Sequence, residues 1–502
     1  MILLVTLNAR YSHASLGLRY LLANMGELEP QTKLLEYIIN LRPQDVAEKL
    51  LAEKPSIIGF GVYIWNVEDT QQVVAILKQV APEIVIVLGG PEVSHETDSQ
   101  AIVELADHVI TGPGDLAFPA LCRQLLQGEN PGKIIQAEPP PLAQIKLPYR
   151  HYTDVDIAKR TLYVEASRGC PFKCEFCLSS LDKTAWGFDL DSFLAEMQHL
   201  YDRGARQFKF VDRTFNLNVK TSLRILEFFL ERLDEQTFLH FEVIPDHLPD
   251  PLKTALARFP AGSLQLEIGV QTFNPMVQSL ISRKQDNAKT EANLRWLREQ
   301  TNAHIHADLI VGLPGEDLAS FASGFDRLIR INPQEIQVGV LKRLRGAPIA
   351  RHEQNHGLRF NPHPPYTILG TDRLDFMTIQ RLSRFARYWE LVGNSGRFKQ
   401  SRELILGSEP FARFLSFTDW VFTTTGQTYE IAQDRLFDLV FTWLTEVGNE
   451  TWKEAYAAIE ADFISSRIRS IPKCLQSEIA KVKPSVAKSK PTASRQLRHS
   501  GH

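Results

Sequence analysis

The first 137 residues constrain the fold most, because short, continuously apolar runs alternate there with helix-like stretches. The runs are Ile2–Leu7, Leu34–Ile39, Ser56–Val62, Ile84–Leu88 and His108–Thr111. The helical stretches are Leu16–Met25, Pro43–Glu53, Val67–Val80 and Leu116–Leu126. A strand apolar at every position is buried on both faces, and a helix between successive strands makes the sheet parallel. The pattern predicts a doubly wound parallel sheet. Ligands of such sheets lie beyond the carboxyl ends of the strands. Two of these ends carry Gly89-Gly90-Pro91-Glu92 and Gly112-Pro113-Gly114-Asp115.

The Pro-rich segment 138–158, with Glu138-Pro139-Pro140-Pro141 and Pro148, predicts a stiff linker. Over 159–350 the alternation resumes. Its strands are expected at Leu162–Ala166, Gln207–Val211, Leu239–Ile244, Leu264–Val270, Ile305–Val311 and Glu335–Leu341. Helices are expected at Leu190–Arg203, Thr221–Leu233, Leu252–Arg258, Ala288–Glu299 and Leu318–Ile331. Six such units predict a partial (β/α)6 barrel, whose active site lies where strands give way to loops. From 351 the strand signals disappear. Gly370–Leu391 and Leu436–Ile459 are amphipathic, so 351–480 is expected to be mainly helical. Residues 481–502 are basic and aperiodic, and predict a disordered tail.

With 44% hydrophobic and 23% charged residues, the chain has the composition of a soluble globular protein. A net charge of −3 gives no strong field for nucleic acid or an anionic membrane. No apolar run reaches the roughly 18 residues that span a bilayer. Met1–Leu7 lacks a positive n-region and reads as a strand rather than a signal peptide. These features place the expected compartment in the cytoplasm, with no membrane partner and no nucleic-acid partner indicated.

Five cysteines form no disulfide framework, and three of them fall in Arg168-Gly169-Cys170-Pro171-Phe172-Lys173-Cys174-Glu175-Phe176-Cys177. The Cys-x3-Cys-x2-Cys spacing follows the first barrel strand directly. Thiolates are soft ligands suited to iron–sulfur clusters. Three of them around a [4Fe–4S] cube leave one iron open to an external ligand. A structural zinc site is the alternative, but it ordinarily takes four protein ligands, and no fourth cysteine is near. Cys122 and Cys474 read as plain thiols in helical surroundings.

This segment resembles the radical SAM superfamily, down to the aromatic Phe176 before the last cysteine. The resemblance implies that Cys170, Cys174 and Cys177 hold the cluster. It also implies that the open iron binds the amino and carboxylate groups of S-adenosylmethionine (SAM), which is cleaved to a 5′-deoxyadenosyl radical. It places SAM-binding residues at later strand ends. Candidates are Asp212 and Thr214 after the second strand, Glu267 and Gln271 on the fourth, and Gly312 and Pro314 after the fifth. The family's usual Gly-Gly-Glu is absent after the second strand.

The N-terminal segment resembles the flavodoxin-like cobalamin-binding domain found ahead of many such barrels. That resemblance points to Ser12, Tyr63, Trp65, Gly89, Gly90, Gly112 and Gly114 as cobalamin contacts. The Asp-x-His-x2-Gly motif, which supplies a cobalt ligand elsewhere, is absent, and His13 is expected to be an ordinary loop histidine. The C-terminal part resembles the uncharacterised helical extension of some members of this group. Together the resemblances imply a cobalamin-dependent radical SAM enzyme methylating an unactivated carbon. An electron donor such as flavodoxin or ferredoxin would serve it. Ring formation or rearrangement without methyl transfer, and non-catalytic cofactor binding or sensing, are the alternatives. No motif names the substrate.

Overall fold

The computed structural model describes residues 1–479, so the expected basic tail lies outside the described residues. The chain divides into two compact units. The first comprises Met1–Glu242, Lys342–Arg351 and Phe360–Thr367, and the second Val243–Leu341, His352–Arg359 and the chain from Ile368 onward.

The first unit opens with the parallel sheet. Its strands are β1 (Ile2–Asn8), β2 (Thr32–Ile38), β3 (Ile57–Gly61), β4 (Val85–Gly89), β5 (His108–Thr111) and β6 (Ile134–Gln136), in the order β2-β1-β3-β4-β5-β6. The crossovers are α1 (Leu16–Ala23), α2 (Pro43–Ala52), α3 (Val67–Val80), α4 (Ala101–Leu105) and α5 (Gly114–Leu126). Both faces of the sheet are covered, so β1 and β3 are buried along their whole length and largely apolar. Leu3 and Val5 of β1 pack into a core with Val46, Leu50, Val73 and Leu77. Ile2 and Leu4 point to the opposite face, against Leu18, Phe118 and Leu121. Strand β6 was not expected from the sequence. It is a three-residue edge strand, half-buried at most, and shows no apolar run.

The segment expected as a stiff linker is instead a packed element. It holds α6 (Asp154–Lys159), which starts on a reciprocal Thr153–Asp156 capping box, and the fully buried Tyr149 and Tyr152. These tyrosines cover the open edge of β7 (Leu162–Val164). The Tyr152 hydroxyl donates to the Tyr163 carbonyl at 2.7 Å and accepts from the Tyr163 amide at 3.1 Å. The Tyr149 hydroxyl does the same for Glu165, at 3.0 Å each way. Two phenols thus satisfy the ladder groups that a missing strand would leave unpaired. The prolines hid this, because two aromatic anchors among them set no period.

After β7 come the short strands β8 (Ser167–Arg168) and β9 (Trp186–Gly187), then α7 (Leu190–Asp202), β10 (Gln207–Phe210), α8 (Val219–Leu230) and β11 (Phe238–Val243), at which the unit ends. Strand β10 pairs in parallel with β7 and with β11. Segments from much later in the chain complete this unit. Tyr366 and Arg345 both donate to the buried carboxylate of Glu92, at 2.7 and 2.9 Å.

In the second unit β13 (His304–Val311) pairs in parallel with β12 (Leu264–Gln271) and β14 (Glu335–Val340). Helices α9 (Asp250–Leu256), α10 (Pro275–Leu280), α11 (Asn287–Gln300) and α12 (Leu318–Ile331) belong to the same half. Aromatic packing joins α12 to the C-terminal helices: the Phe325 ring lies edge-on to Phe385, Trp389 and Phe411.

The C-terminal region is mainly helical, with differences in detail. Two short strands, Arg359–Phe360 and Ile368–Gly370, occur where none was expected. The helix expected over Gly370–Leu391 begins only at Phe376, behind the Asp375 cap, and passes into a π-turn at Trp389–Gly393. The long helix expected over Leu436–Ile459 is two, Gln433–Glu446 and Trp452–Ser466. Asn449 adopts a left-handed conformation between them, and Thr451 caps the second. Helices Lys399–Leu406 and Pro410–Thr425 have no counterpart among the expected elements. No helix among the described residues is long and apolar enough to cross a membrane.

Candidate active site

The carboxyl ends of β3, β4 and β5 and the start of α1 enclose a cavity of about 470 Å³ in the first unit. Its wall includes Gly59, Gly61, Gly89, Gly90, Gly112 and Gly114, with apolar side chains between. The local backbone requires glycine at two of these positions. Gly90 has φ +110°, and a Cβ there would lie 2.5 Å from the Val62 carbonyl oxygen. Gly112 has φ +84°, and its Cβ would meet the Ala137 carbonyl oxygen at 2.7 Å. One side chain ties the two loops together: the Ser94 hydroxyl donates to the Gly90 carbonyl at 2.8 Å and accepts from the Gly112 amide at 3.2 Å. Bare backbone at these turns lets a flat ligand come close to the ends of β4 and β5, which suits the face of a corrin.

Five of the seven residues expected to meet cobalamin line this cavity: Tyr63, Gly89, Gly90, Gly112 and Gly114. Trp65 stands behind, stacked on Tyr63 with centroids 4.5 Å apart and planes 6° from parallel. Ser12 is not in the wall. It is exposed, and its carbonyl accepts from the Thr161 amide at 2.9 Å. The loop after β1 is drawn toward Thr161 by this bridge and by His13, whose ring bonds the Tyr163 hydroxyl. Gly17 and Leu18 of α1 face the cavity in its place. His13 is also outside the wall; burial, then the Arg10 charge, lowers its pKa.

The cysteine loop belongs to the same unit. Strands β8 and β9 pair antiparallel and close its base. Gly169 opens it at φ +89°, where a Cβ would lie 2.2 Å from the Thr184 carbonyl oxygen. The Cys170 amide donates to the Asp182 carbonyl at 3.1 Å, and the Cys177 amide to the Cys174 carbonyl at 3.1 Å. None of the three forms a disulfide, and all three are half-buried. Burial raises the Cys170 thiol pKa, a hydrogen bond from Phe172 opposes this, and the neighbouring Cys177 and Cys174 raise it further. Cys174 and Cys177 are thus near enough to act on the Cys170 thiol. Among the described residues no three His, Cys, Asp or Glu side chains gather closely enough to hold a single metal ion. A cuboidal cluster places each thiolate on its own iron, so its ligands stand farther apart than those of one zinc ion. The donor set fits the cluster. Glu175, inside the loop, is buried and paired with Arg351.

Asp212 is placed differently from a free ligand. It is buried, and its two oxygens accept from the Ala166 amide at 3.0 Å and the Ser167 hydroxyl at 2.5 Å. Burial pushes its carboxyl up to about 7, against the opposing effect of these bonds. Thr214 is buried in the turn after β10, where its carbonyl accepts from Leu217 at 2.9 Å.

In the second unit, Glu267 lies on β12 opposite His306 of β13. Gln271 ends the strand at a bulge with φ +68°. Gly312 follows β13 at φ +89°, and Pro314 is buried two residues on. Glu316, which closes this turn, accepts from Thr272 at 2.6 Å and Ser320 at 3.1 Å, and burial raises its carboxyl to about 7.

Sequence reasoning missed a further set. Arg168, Gly169, Ser179 and Asp182 of the cysteine loop are part of the wall of the glycine-lined cavity, as are Asp115 and Glu165. The signal that could have found them is the position of Arg168, a charged residue immediately ahead of the loop.

Comparison with known proteins agrees with this geometry. Residues 2–122 match the B12 binding domain, residues 164–328 the radical SAM superfamily, and residues 354–499 a family described only as a protein of unknown function (DUF4080). An uncharacterized methyltransferase of Pyrococcus horikoshii is 27% identical over 329 residues, 60% of this chain and 70% of the relative. The cobalamin-dependent radical SAM methyltransferase TokK of Streptomyces tokunonensis is 25% identical over 363 residues. That match covers 64% of this chain and about half, 52%, of TokK. The solved structure of the cobalamin-dependent SAM radical enzyme OxsB with aqua-cobalamin bound shares the fold, with TM-score 0.63 and 13% identity over 96% of this chain and 83% of that one. The methyltransferase TsrM from Kitasatospora setae, with cobalamin and a [4Fe–4S] cluster bound, gives TM-score 0.58 and 17% identity over 74% and 82%. Residues 164–328 therefore form a radical SAM domain, and a B12 binding domain over residues 2–122 stands ahead of its cysteine loop in the chain.

Proposed function

We propose that the protein is a cobalamin-dependent radical SAM methyltransferase that acts on an unactivated carbon. One observation carries the reading: the glycine-lined cavity of the B12 binding domain and the cysteine loop share a wall, through Arg168, Gly169, Ser179 and Asp182. A corrin held in that cavity would stand next to the cysteine loop, as transfer of a methyl group to a carbon activated near the cluster requires. When bound, the cluster supplies the electron that cleaves SAM, and the corrin carries the methyl group.

The chain's own residues position these groups and keep water away from them. Cys170, Cys174 and Cys177 would hold the cluster by three of its irons and leave the fourth open to SAM. Thr214, Glu267, Gln271, Gly312 and Pro314 are the candidates to hold the rest of SAM. Asp212 holds the backbone at Ala166 and the Ser167 hydroxyl in place. A flavodoxin or ferredoxin type of protein would supply the electron.

Anaerobic reconstitution with iron, sulfide and cobalamin, then reduction in the presence of methyl-labelled SAM, tests the reading. One cluster and one corrin per chain, 5′-deoxyadenosine, and labelled methyl transferred out of SAM are expected. Formation of 5′-deoxyadenosine with all label left in methionine would overturn methyl transfer. Absence of corrin uptake would overturn the whole reading.

A further inference from the structure

The guanidinium of Arg168 lies between the cavity and the cysteine loop. It donates to both oxygens of Asp115, at 2.9 and 3.1 Å, and through Nε to Glu165 at 2.8 Å. It lies over the Tyr20 ring, 4.4 Å from its centroid. Arg168, Asp115, Glu165 and Tyr20 all line the cavity. Asp115 sits in the first turn of α5, next to Gly114 of the cradle, and its side chain is 8% exposed. The backbone of Arg168 pairs with Trp186 at the base of the cysteine loop, and Cys170 is two residues on. One planar side chain, held on three sides, thus joins the wall of the corrin cavity to the segment that supplies the first iron ligand.

We propose that Arg168 is a positioning residue that couples the two sites, so that corrin in the cavity alters the cluster and the cluster alters corrin affinity. The inference rests on the cofactors of the proposed function. Its physical basis is geometric. A ligand filling this cavity presses on Asp115, Tyr20 and Arg168 together. Arg168 has little freedom to yield, because its fork is engaged in a bidentate pair and its face is stacked. Displacement passes along the backbone to Cys170. Coupling of this kind is reciprocal: whatever factor the corrin imposes on the cluster equilibrium, the cluster imposes on corrin binding.

The experiment uses the full chain, with hydroxocobalamin as the probe. Corrin affinity is read from the visible spectrum in cluster-loaded and cluster-free protein, and the electron paramagnetic resonance signal of the reduced cluster is recorded with and without corrin. Wild type is expected to show about a tenfold difference in affinity between the two forms, within the usual range of coupled sites, and a changed cluster signal on corrin addition. Arg168→Lys keeps the charge but loses the bidentate fork, and Asp115→Asn keeps the shape but loses the carboxylate. In both, the affinity ratio is expected to fall toward one and the cluster signal to ignore corrin, while iron and corrin uptake persist. Equal affinities in the two wild-type forms would overturn the inference, as would variants that keep the wild-type ratio. Loss of both cofactors together in Arg168→Lys would also overturn it, because Arg168 would then act only as a structural residue. Failure of wild type to take up corrin at all would instead remove the functional reading beneath it.

Discussion

The Asp212 carboxylate, at the end of β10, accepts the Ser167 hydroxyl at 2.5 Å. With the Ala166 amide bond to its other oxygen, this fixes the two residues that lead into β8 and the cysteine loop. Asp212→Ala leaves the buried Ala166 amide without its acceptor, at about 1–3 kcal/mol, and frees the half-buried Ser167 hydroxyl. A lower melting temperature and reduced iron content after reconstitution are the expected outcomes. Unchanged iron content would show that the loop holds itself.

The cradle glycines separate strain from function. Gly90→Ala places a Cβ against the Val62 carbonyl in a left-handed conformation, whereas Gly128, also left-handed at φ +79°, faces open space. Both changes are expected to lower stability by roughly 1 kcal/mol or more through strain. Only Gly90→Ala should abolish corrin uptake, read from the visible spectrum of the purified protein.

Replacing any one of Cys170, Cys174 or Cys177 with Ala is expected to remove the cluster, measured as iron and sulfide per chain and as the absorbance of the reconstituted protein. Cys122 is fully buried and its thiol is pushed up to about 12 by burial. Cys122→Ser should keep the cluster while lowering stability, because a hydroxyl replaces an apolar group in the core.

Glu316 makes stability depend on pH. Its carboxyl titrates near 7 in the fold, against 4.5 ordinarily, chiefly because it is buried. Between those values the folded chain keeps a proton that the unfolded chain releases, so this group costs stability as pH rises through the window and adds nothing further above it. Glu316→Gln removes the titration. The difference in unfolding free energy between variant and wild type should move in the variant's favour by on the order of 3 kcal/mol from pH 4.5 to pH 7. Urea titrations across that range check it, and parallel pH profiles would refute it.

Tyr366 donates to the buried Glu92 carboxylate beside the Gly90 loop. Tyr366→Phe removes that bond and keeps the one from Arg345 at 2.9 Å. A loss of about 1–3 kcal/mol is expected, with weaker corrin binding in the same visible titration.

Much of the architecture was legible from local pattern. The continuous apolar strands followed from burial on both faces, and five of the six N-terminal strands and all six barrel-type strands were located to within about two residues, allowing for Leu162–Ala166, which is shorter by two. Strand β6 was not legible, because an edge strand of three half-exposed residues shows no apolar run. The tyrosines that cover the edge of β7 were hidden among prolines for a similar reason: their roles depend on backbone groups of Tyr163 and Glu165, 11 and 16 residues on, which no helix or strand period relates to them. The Cys-x3-Cys-x2-Cys loop and the glycine turns were legible because backbone chemistry at those positions admits few residue types.

The sequence by itself determined the strand–helix alternation, the three thiols and the bare-backbone turns, since each follows from neighbours along the chain. Tertiary structure decided which of these meet. It placed Ser12 and His13 outside the cavity, turned the Asp212 carboxylate onto Ala166 and Ser167, and joined Arg168 to Asp115 across 53 residues. Periodicity sets which face of an element is buried. Convergence of side chains depends instead on where loops end and which distant segments pair, and no local pattern carries that information.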